Sequence, residues 1–138
     1  MPGGGYQMND ALLTTAKFQK GERIITAGTP ATTAYMVDKG SVRVFLEQNG
    51  KIIDLATLGE NEIFGESSLF DEAKYGAHVE ASEETELTLI TPEILSVKME
   101  SCDFMIKAVV QMLLERLRKT NEALLRSETR EHIDVGFV

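Results

Sequence analysis

The chain has 138 residues, 43% of them hydrophobic and 26% charged, which suits one domain with a core of its own. Fourteen basic residues against 22 acidic ones leave a net charge of −8, and this argues against a binder of nucleic-acid phosphates, which needs a concentrated positive face. A lone cysteine, Cys102, excludes an intrachain disulfide and a multi-cysteine zinc site; it fits a reducing cytoplasm and reads as a small semi-buried hydrophobe near a helix start.

The N-terminus, MPGGGYQMND, has neither the basic region nor the apolar run of a signal peptide. No apolar stretch approaches the roughly 18 residues of a membrane span, so the expectation is a cytoplasmic protein that does not enter a membrane. Gly3, Gly4 and Gly5 read as a flexible leader, and Asn9 and Asp10 are placed to cap a short helix over 11–15. Residues 1–15 form the first of three expected regions.

The second runs over 16–91. Glycine recurs at 21, 28, 40, 50, 59, 65 and 76 with short apolar runs between, the spacing of an all-β sandwich or barrel. Strands are expected at 23–27, 34–37, 42–46, 52–55, 79–81 and 87–90. Residues 42–46 alternate at first and then face both ways. Asp38-Lys39-Gly40 and Gln48-Asn49-Gly50 read as hairpin turns, the Asn-Gly pair being the stronger signal.

Within this region, 58–81 (LGENEIFGESSLFDEAKYGAHVEA) concentrates the unusual chemistry. A short strand end at Ile63 and Phe64 leads into Gly65, which permits a turn that other residues resist. Glu66, Ser67 and Ser68 follow where a short helix can begin, and unpaired N–H groups at such a start suit an anion or a ribose phosphate. An ionised Glu66 is an acceptor only, and so is matched to sugar hydroxyls. On residue types alone, an ordinary loop with one capped helical turn is the favoured reading.

The third region, 92–138, switches to helical period. Thr91 can cap and Pro92 can open a helix over 92–99, and 101–103 breaks it. From Asp103 to about Arg130 there is no glycine or proline, which allows a helix about 42 Å long. Ile106, Val110, Leu113, Leu117, Thr120 and Leu124 follow a 4-3-4-3-4 heptad spacing. Met105, Val109 and Met112 form a second strip. One strip can meet the chain's own sheet and the other a partner helix, so a homodimer through 103–130 is expected. A single broad core-facing stripe on a monomer is the alternative. Thr120 is an odd polar residue in that seam. The basic residues Arg116, Arg118, Lys119, Arg126 and Arg130 read as solvated partners of nearby acids.

Catalytic patterns are scarce. His78 and His132 lie far apart in the sequence, and no nucleophile elbow, Walker loop or dinucleotide fingerprint occurs. Ser67 and Ser68 lack an evident base. Neither an enzyme nor a metal site is expected.

Phe64-Gly65-Glu66, Leu69-Phe70 and Val79-Glu80-Ala81 resemble the phosphate-binding cassette of the cyclic nucleotide-binding domain family, of the kind found in CRP/FNR-like effector domains. Gly28, Ala31, Tyr35, Val37, Gly40, Val42 and Val44 are similar to that family's first strand-turn-strand signature. The resemblance runs from about Phe18 to Arg130. It implies a mainly β fold, a double-stranded β-helix (jelly roll), followed by a short hinge helix and a long dimerisation helix. It also implies a ligand, cyclic AMP or cyclic GMP, held by Phe64, Gly65, Glu66, Ser67, Ser68, Lys74, Tyr75, Gly76 and Ala77, with Thr120 and Asn121 at the positions that meet the purine. The sequence departs from the family at one point: Tyr75, with Lys74 beside it, stands where the family usually has an arginine for the cyclic phosphate. The DNA-reading module of transcription-regulating members is not found after the long helix, so no DNA binding is expected.

Two functions follow. One is a regulatory sensor of a cyclic nucleotide or related small anion that signals to a downstream protein through its long helix. The other is a binding-silent domain acting in dimerisation or protein contact. Glu66, Ser67 and Ser68 favour the first. Tyr75 favours the second, and so do seven acids against Lys74 over 65–86.

Overall fold

The computed structural model describes residues 13–69 and 74–131, with side chains to residue 120. Among the described residues, eight strands form two antiparallel four-stranded sheets. The first sheet contains β1 (Thr14–Phe18), β3 (Ala34–Lys39), β6 (Ile63–Phe64) and β8 (Thr85–Ile90) in the order β1-β8-β3-β6. The second contains β2 (Arg23–Ile25), β4 (Val42–Gln48), β5 (Lys51–Leu58) and β7 (His78–Ala81) in the order β2-β7-β4-β5. The two sheets pack as a sandwich of the jelly-roll type, and α1 (Pro92–Glu100) and α2 (Phe104–Glu131) follow.

Val42 and Val44 on β4, Val79 on β7, Val37 on β3 and Leu87 on β8 meet Phe64, Ile25 and Ala77 in one core. Alternation accounts for the inward valines, with Arg43 pointing out between Val42 and Val44. The β4–β5 register then shifts between Val44 and Phe45. The extra residue is Leu55 on β5, so β4 keeps its alternation and Phe45 lies on the face opposite Val44, where it is 1% exposed because guanidinium groups cover it. The Arg43 and Arg23 guanidiniums lie 4.7 and 5.2 Å from its ring centre, and the His78 ring lies 5.3 Å away.

Asn49 and Gly50, both at positive φ, close the β4–β5 hairpin as expected. The turn ending at Gly40 is different. It carries the chain from β3 in one sheet to β4 in the other, so it is a crossing and not a hairpin. Gly40 has φ 92°, and a Cβ there would lie 2.5 Å from Glu84 O.

The expected helix over 11–15 is corrected at its described end. Thr14 and Thr15 belong to β1, because pairing with Leu89 and Thr88 of β8 satisfies their backbone; residues 11 and 12 lie outside the described residues. Residues 26 and 27, expected at the end of a strand, leave the sheet after Ile25. The leader over 1–12 and the tail after 131 also lie outside the described residues.

The α1 cap forms as the sequence suggests. Thr91 Oγ1 accepts from Ile94 N at 3.1 Å, with Pro92 in the first turn. Asp103 Oδ1 accepts from Met105 N at 2.8 Å at the start of α2. Cys102 is exposed rather than semi-buried.

α2 has no extended packing against any strand among the described residues. Lys107, Gln111 and Leu114 instead share a cleft with Leu95 and Met99 of α1 and Leu69. The opposite arc carries Met105, Ile106, Val109, Met112, Leu113 and Leu117, all exposed. The expected seam therefore divides, with Val110 on the partly buried side. Arg118 pairs with Glu115 one turn back, and that hydrogen bond holds the Glu115 carboxyl below its ordinary pKa.

Candidate functional site

Gly65, at φ 73°, sets the site's geometry. A Cβ at this position would lie 3.0 Å from Thr33 O and 3.4 Å from Tyr75 Cε1. The left-handed turn therefore lets the chain run close under the 30–33 loop, and it leads into a 3-10 turn, Glu66–Leu69. Ser68 fastens that turn by donating from both its N–H (3.2 Å) and its hydroxyl (2.8 Å) to Gly65 O. Ser67 and Ser68 are buried.

Phe64 is fully buried and stacks on Tyr35, ring centres 5.2 Å apart, which anchors the strand that delivers Gly65. Burial raises the Tyr35 phenol above its ordinary pKa, with a further push from Tyr75. Ala77 is in the core and Gly76 is partly buried beside it. Lys74 is exposed, and its backbone forms an isolated bridge to Pro30.

Tyr75 is tied at both ends. Its backbone N–H donates to Thr29 O at 2.9 Å, and its carbonyl accepts from Gly28 N at 2.9 Å. Its hydroxyl donates to Thr33 O at 2.6 Å and accepts from Thr33 N at 3.0 Å and Thr32 N at 3.3 Å. One phenol oxygen thus takes up two backbone donors of the 30–33 loop, while the ring packs against the core.

Glu66 is the exception to this internal satisfaction. Its Oε1 is shielded from solvent and has no hydrogen-bond partner among the described residues. Desolvation raises the carboxyl above its ordinary pKa, partly offset by its own backbone N–H. A buried acceptor left over among the described residues of an otherwise closed turn has capacity for one further donor.

A cleft of about 440 Å³ opens beside the turn, lined by Pro30, Thr32, Thr33, Ser68, Thr91 and Glu93 among others. Sequence reasoning selected Ser68 but missed Thr32, Thr33, Thr91 and Glu93 as lining residues. The run of hydroxyls in TPATT (29–33) between two strands was the available signal. Thr120 is exposed on α2, and the helix residues that share a cleft with Leu69 are Lys107, Gln111 and Leu114. The Asn121 side chain lies outside the described residues.

The sequence profile of the cyclic nucleotide-binding domain matches residues 15–101. The chain is 31% identical over 105 residues to a cyclic AMP receptor protein of Thermus thermophilus, covering 75% of this chain and 49% of the relative. It is 33% identical over 107 residues to a cAMP-activated global transcriptional regulator of Haemophilus influenzae, covering 76% and 48%. The chain thus spans about half the length of these two curated relatives. Among solved structures, the half-site-occupied form of an EAL enzyme, Bd1971, superposes with a TM-score of 0.75 at 31% identity, covering 78% of this chain and 97% of that one. With the sandwich, the glycine-led turn and the profile over most of the described residues in agreement, the chain belongs to the cyclic nucleotide-binding domain family.

Proposed function

We propose that this chain is a regulatory, ligand-sensing domain whose ligand sits at the Gly65–Ser68 turn, with its sugar hydroxyls on Glu66 and a weakened hold on any phosphate. The observation that carries the reading is the buried Glu66 Oε1, which has no partner among the described residues. Relatives named as a cyclic AMP receptor and a cAMP-activated regulator support a cyclic nucleotide as the class of ligand. The weak phosphate hold follows from Tyr75, whose hydroxyl is spent on Thr32 and Thr33 and brings no positive charge. Calorimetric titration with cyclic AMP and cyclic GMP tests this. Weak binding that strengthens in Tyr75→Arg, and weakens again when Glu66→Ala is added, is expected. Tight binding by the native chain, unaffected by Lys74→Ala, would show that the phosphate is held elsewhere.

A binding-silent domain is the second reading, favoured by the same closure of Tyr75 onto the loop. Both readings include a homodimer through the exposed arc of α2, a downstream protein partner and a cytoplasmic setting, which an exposed lone thiol suits. Neither involves catalysis: Ser68 Oγ is engaged with Gly65 O, and His78 Nδ1 accepts from Ala27 N at 3.1 Å. Among the described residues no helix is long and apolar enough to cross a membrane. Duplex DNA is not a partner of this chain alone, because a net charge of −8 opposes phosphate contact. A salt-sensitive gel shift at low micromolar protein would contradict that.

A further inference from the structure

We propose that the β4–β5 hairpin supplies a second part of the dimer interface: its exposed edge at Ile52, Ile53 and Leu55 packs on the Met105, Val109 and Met112 flank of α2 in a second copy of this chain. The inference rests on the homodimer put forward above, and it says what covers the part of α2 that a partner helix leaves open.

The first observation is where apolar surface is exposed. Apart from Ile63 and Val97, every large apolar side chain exposed among the described residues lies on β5 or α2. β5 is an edge strand of its sheet, and residues 51–57 are all exposed. A long edge strand carrying large apolar side chains is a site for unwanted association unless something covers it.

The second observation is the width of the arc on α2. Ile106, Leu113 and Leu117 follow a narrow coiled-coil seam, whereas Met105, Val109 and Met112, spaced four and three apart, run along the adjoining flank. A two-helix seam buries the first set and leaves the flank at its rim. A specific interface takes roughly 20–30 residues a side, more than the three exposed seam residues with described side chains supply. The chain's own sheets do not cover the flank, since α2 has no extended packing against any strand among the described residues. The cover therefore comes from outside the chain.

The third observation is charge, and it selects a second copy. The flank continues one turn on to Arg116, which is exposed. On the hairpin, Glu47 stands opposite Ile52 in the register and Asp54, paired with Arg43, follows Ile53; both acids are exposed. An apolar flank with a basic end thus matches an apolar edge with acidic neighbours, and such rim charges set orientation more than affinity. Under a two-fold axis the contact forms twice, the hairpin of each copy on α2 of the other.

The test uses two variants of the full chain, Ile52→Glu/Leu55→Glu on the hairpin and Val109→Lys/Met112→Lys on the flank, with the seam residues untouched. In sedimentation equilibrium each alone should dimerise at least about tenfold more weakly than the native chain, because both contacts are damaged. An equimolar mixture should recover much of that loss, since a mixed dimer keeps one native contact and sets glutamates against lysines in the other. A second measurement avoids charged substitutions altogether. Two Cys102→Ser chains, one with Leu55→Cys and the other with Val109→Cys, should be joined to each other by a short bismaleimide. A hairpin variant that dimerises like the native chain overturns this inference and leaves the homodimer standing. So does a mixture no tighter than its components, or the absence of that cross-link between chains that dimerise normally. A native monomer at tens of micromolar overturns both the inference and the homodimer on which it rests.

Discussion

Around Gly65 the chain closes its polar groups from within: Ser68 donates back to Gly65 O, and Tyr75 joins the backbone of Thr32 and Thr33. Along α2 the apolar groups are left open, with Ile106 53% and Leu113 50% exposed. The turn is assembled from strands and loops of one sandwich, so its geometry is set inside a single chain. The helix has a face opposite α1 on which the same chain lays nothing extended among the described residues. A run of large exposed apolar side chains of this kind marks a surface that another molecule covers. The two regions are thus built differently: apart from Glu66, the turn's polar groups are met within the fold, whereas the apolar arc of α2 is left uncovered among the described residues.

The comparison breaks most visibly at the helix. Replacing Leu113 and Leu117 by glutamate should convert a dimer into a monomer in light scattering, because two unpaired charges in an apolar seam cost several kcal/mol. A native monomer at tens of micromolar would remove the basis for this expectation. At the turn, Tyr75→Arg should strengthen cyclic nucleotide binding by about ten- to a hundredfold, since a hydrogen bond to a charged group contributes about 1.5–3 kcal/mol. The join between the two regions is α1. Removing its cap with Thr91→Ala should lower stability by about 1 kcal/mol in urea unfolding, with faster amide exchange at Ile94. An unchanged midpoint would mean that packing alone holds the hinge helix.

The smallest effect concerns Glu66. Its folded-state pKa lies above the ordinary value, chiefly through desolvation. Such a carboxyl stabilises the fold below its unfolded pKa and loses that contribution as pH rises through the folded one. Glu66→Gln should therefore melt higher than the native chain at pH 7–8, and the advantage should vanish below about pH 4. Equal melting at both ends of that range would show that the carboxylate has found a donor within the fold.

Legibility from sequence followed the range of the interactions. The Asn49-Gly50 hairpin, the Thr91-Pro92 helix start and the Gly65–Ser68 turn are local, and each was readable because the conformation depends on a few consecutive residues. β1 was not readable. TTAKF has little alternation of its own, and it becomes a strand through pairing with residues some 70 positions away. Phe45 keeps the alternation of its strand, but its burial on the outer face depends on two arginines, one of them on another strand. Tyr75 was identified as a departure from the family, but its role depends on a loop 42 residues earlier that no spacing rule connects to it.

Gly40 carries a consequence for which substitutions the chain tolerates. Gly50 is also at positive φ, but the space around its missing side chain is open, so an asparagine or aspartate there meets only the moderate strain of the left-handed region. At Gly40 even a methyl group would meet Glu84 O at 2.5 Å and Thr85 Oγ1 at 2.6 Å, and the backbone oxygen cannot swing aside. Thr85 Oγ1 is itself held by Ser41 and Glu83, so yielding at one point disturbs the start of β8 as well. A saturation library scored for folding should therefore leave position 40 with a single survivor, while position 50 accepts a small polar set. Among the described glycines at positive φ, the one at the β3–β4 crossing is where an added side chain is crowded most, although it lies outside the cleft beside Gly65.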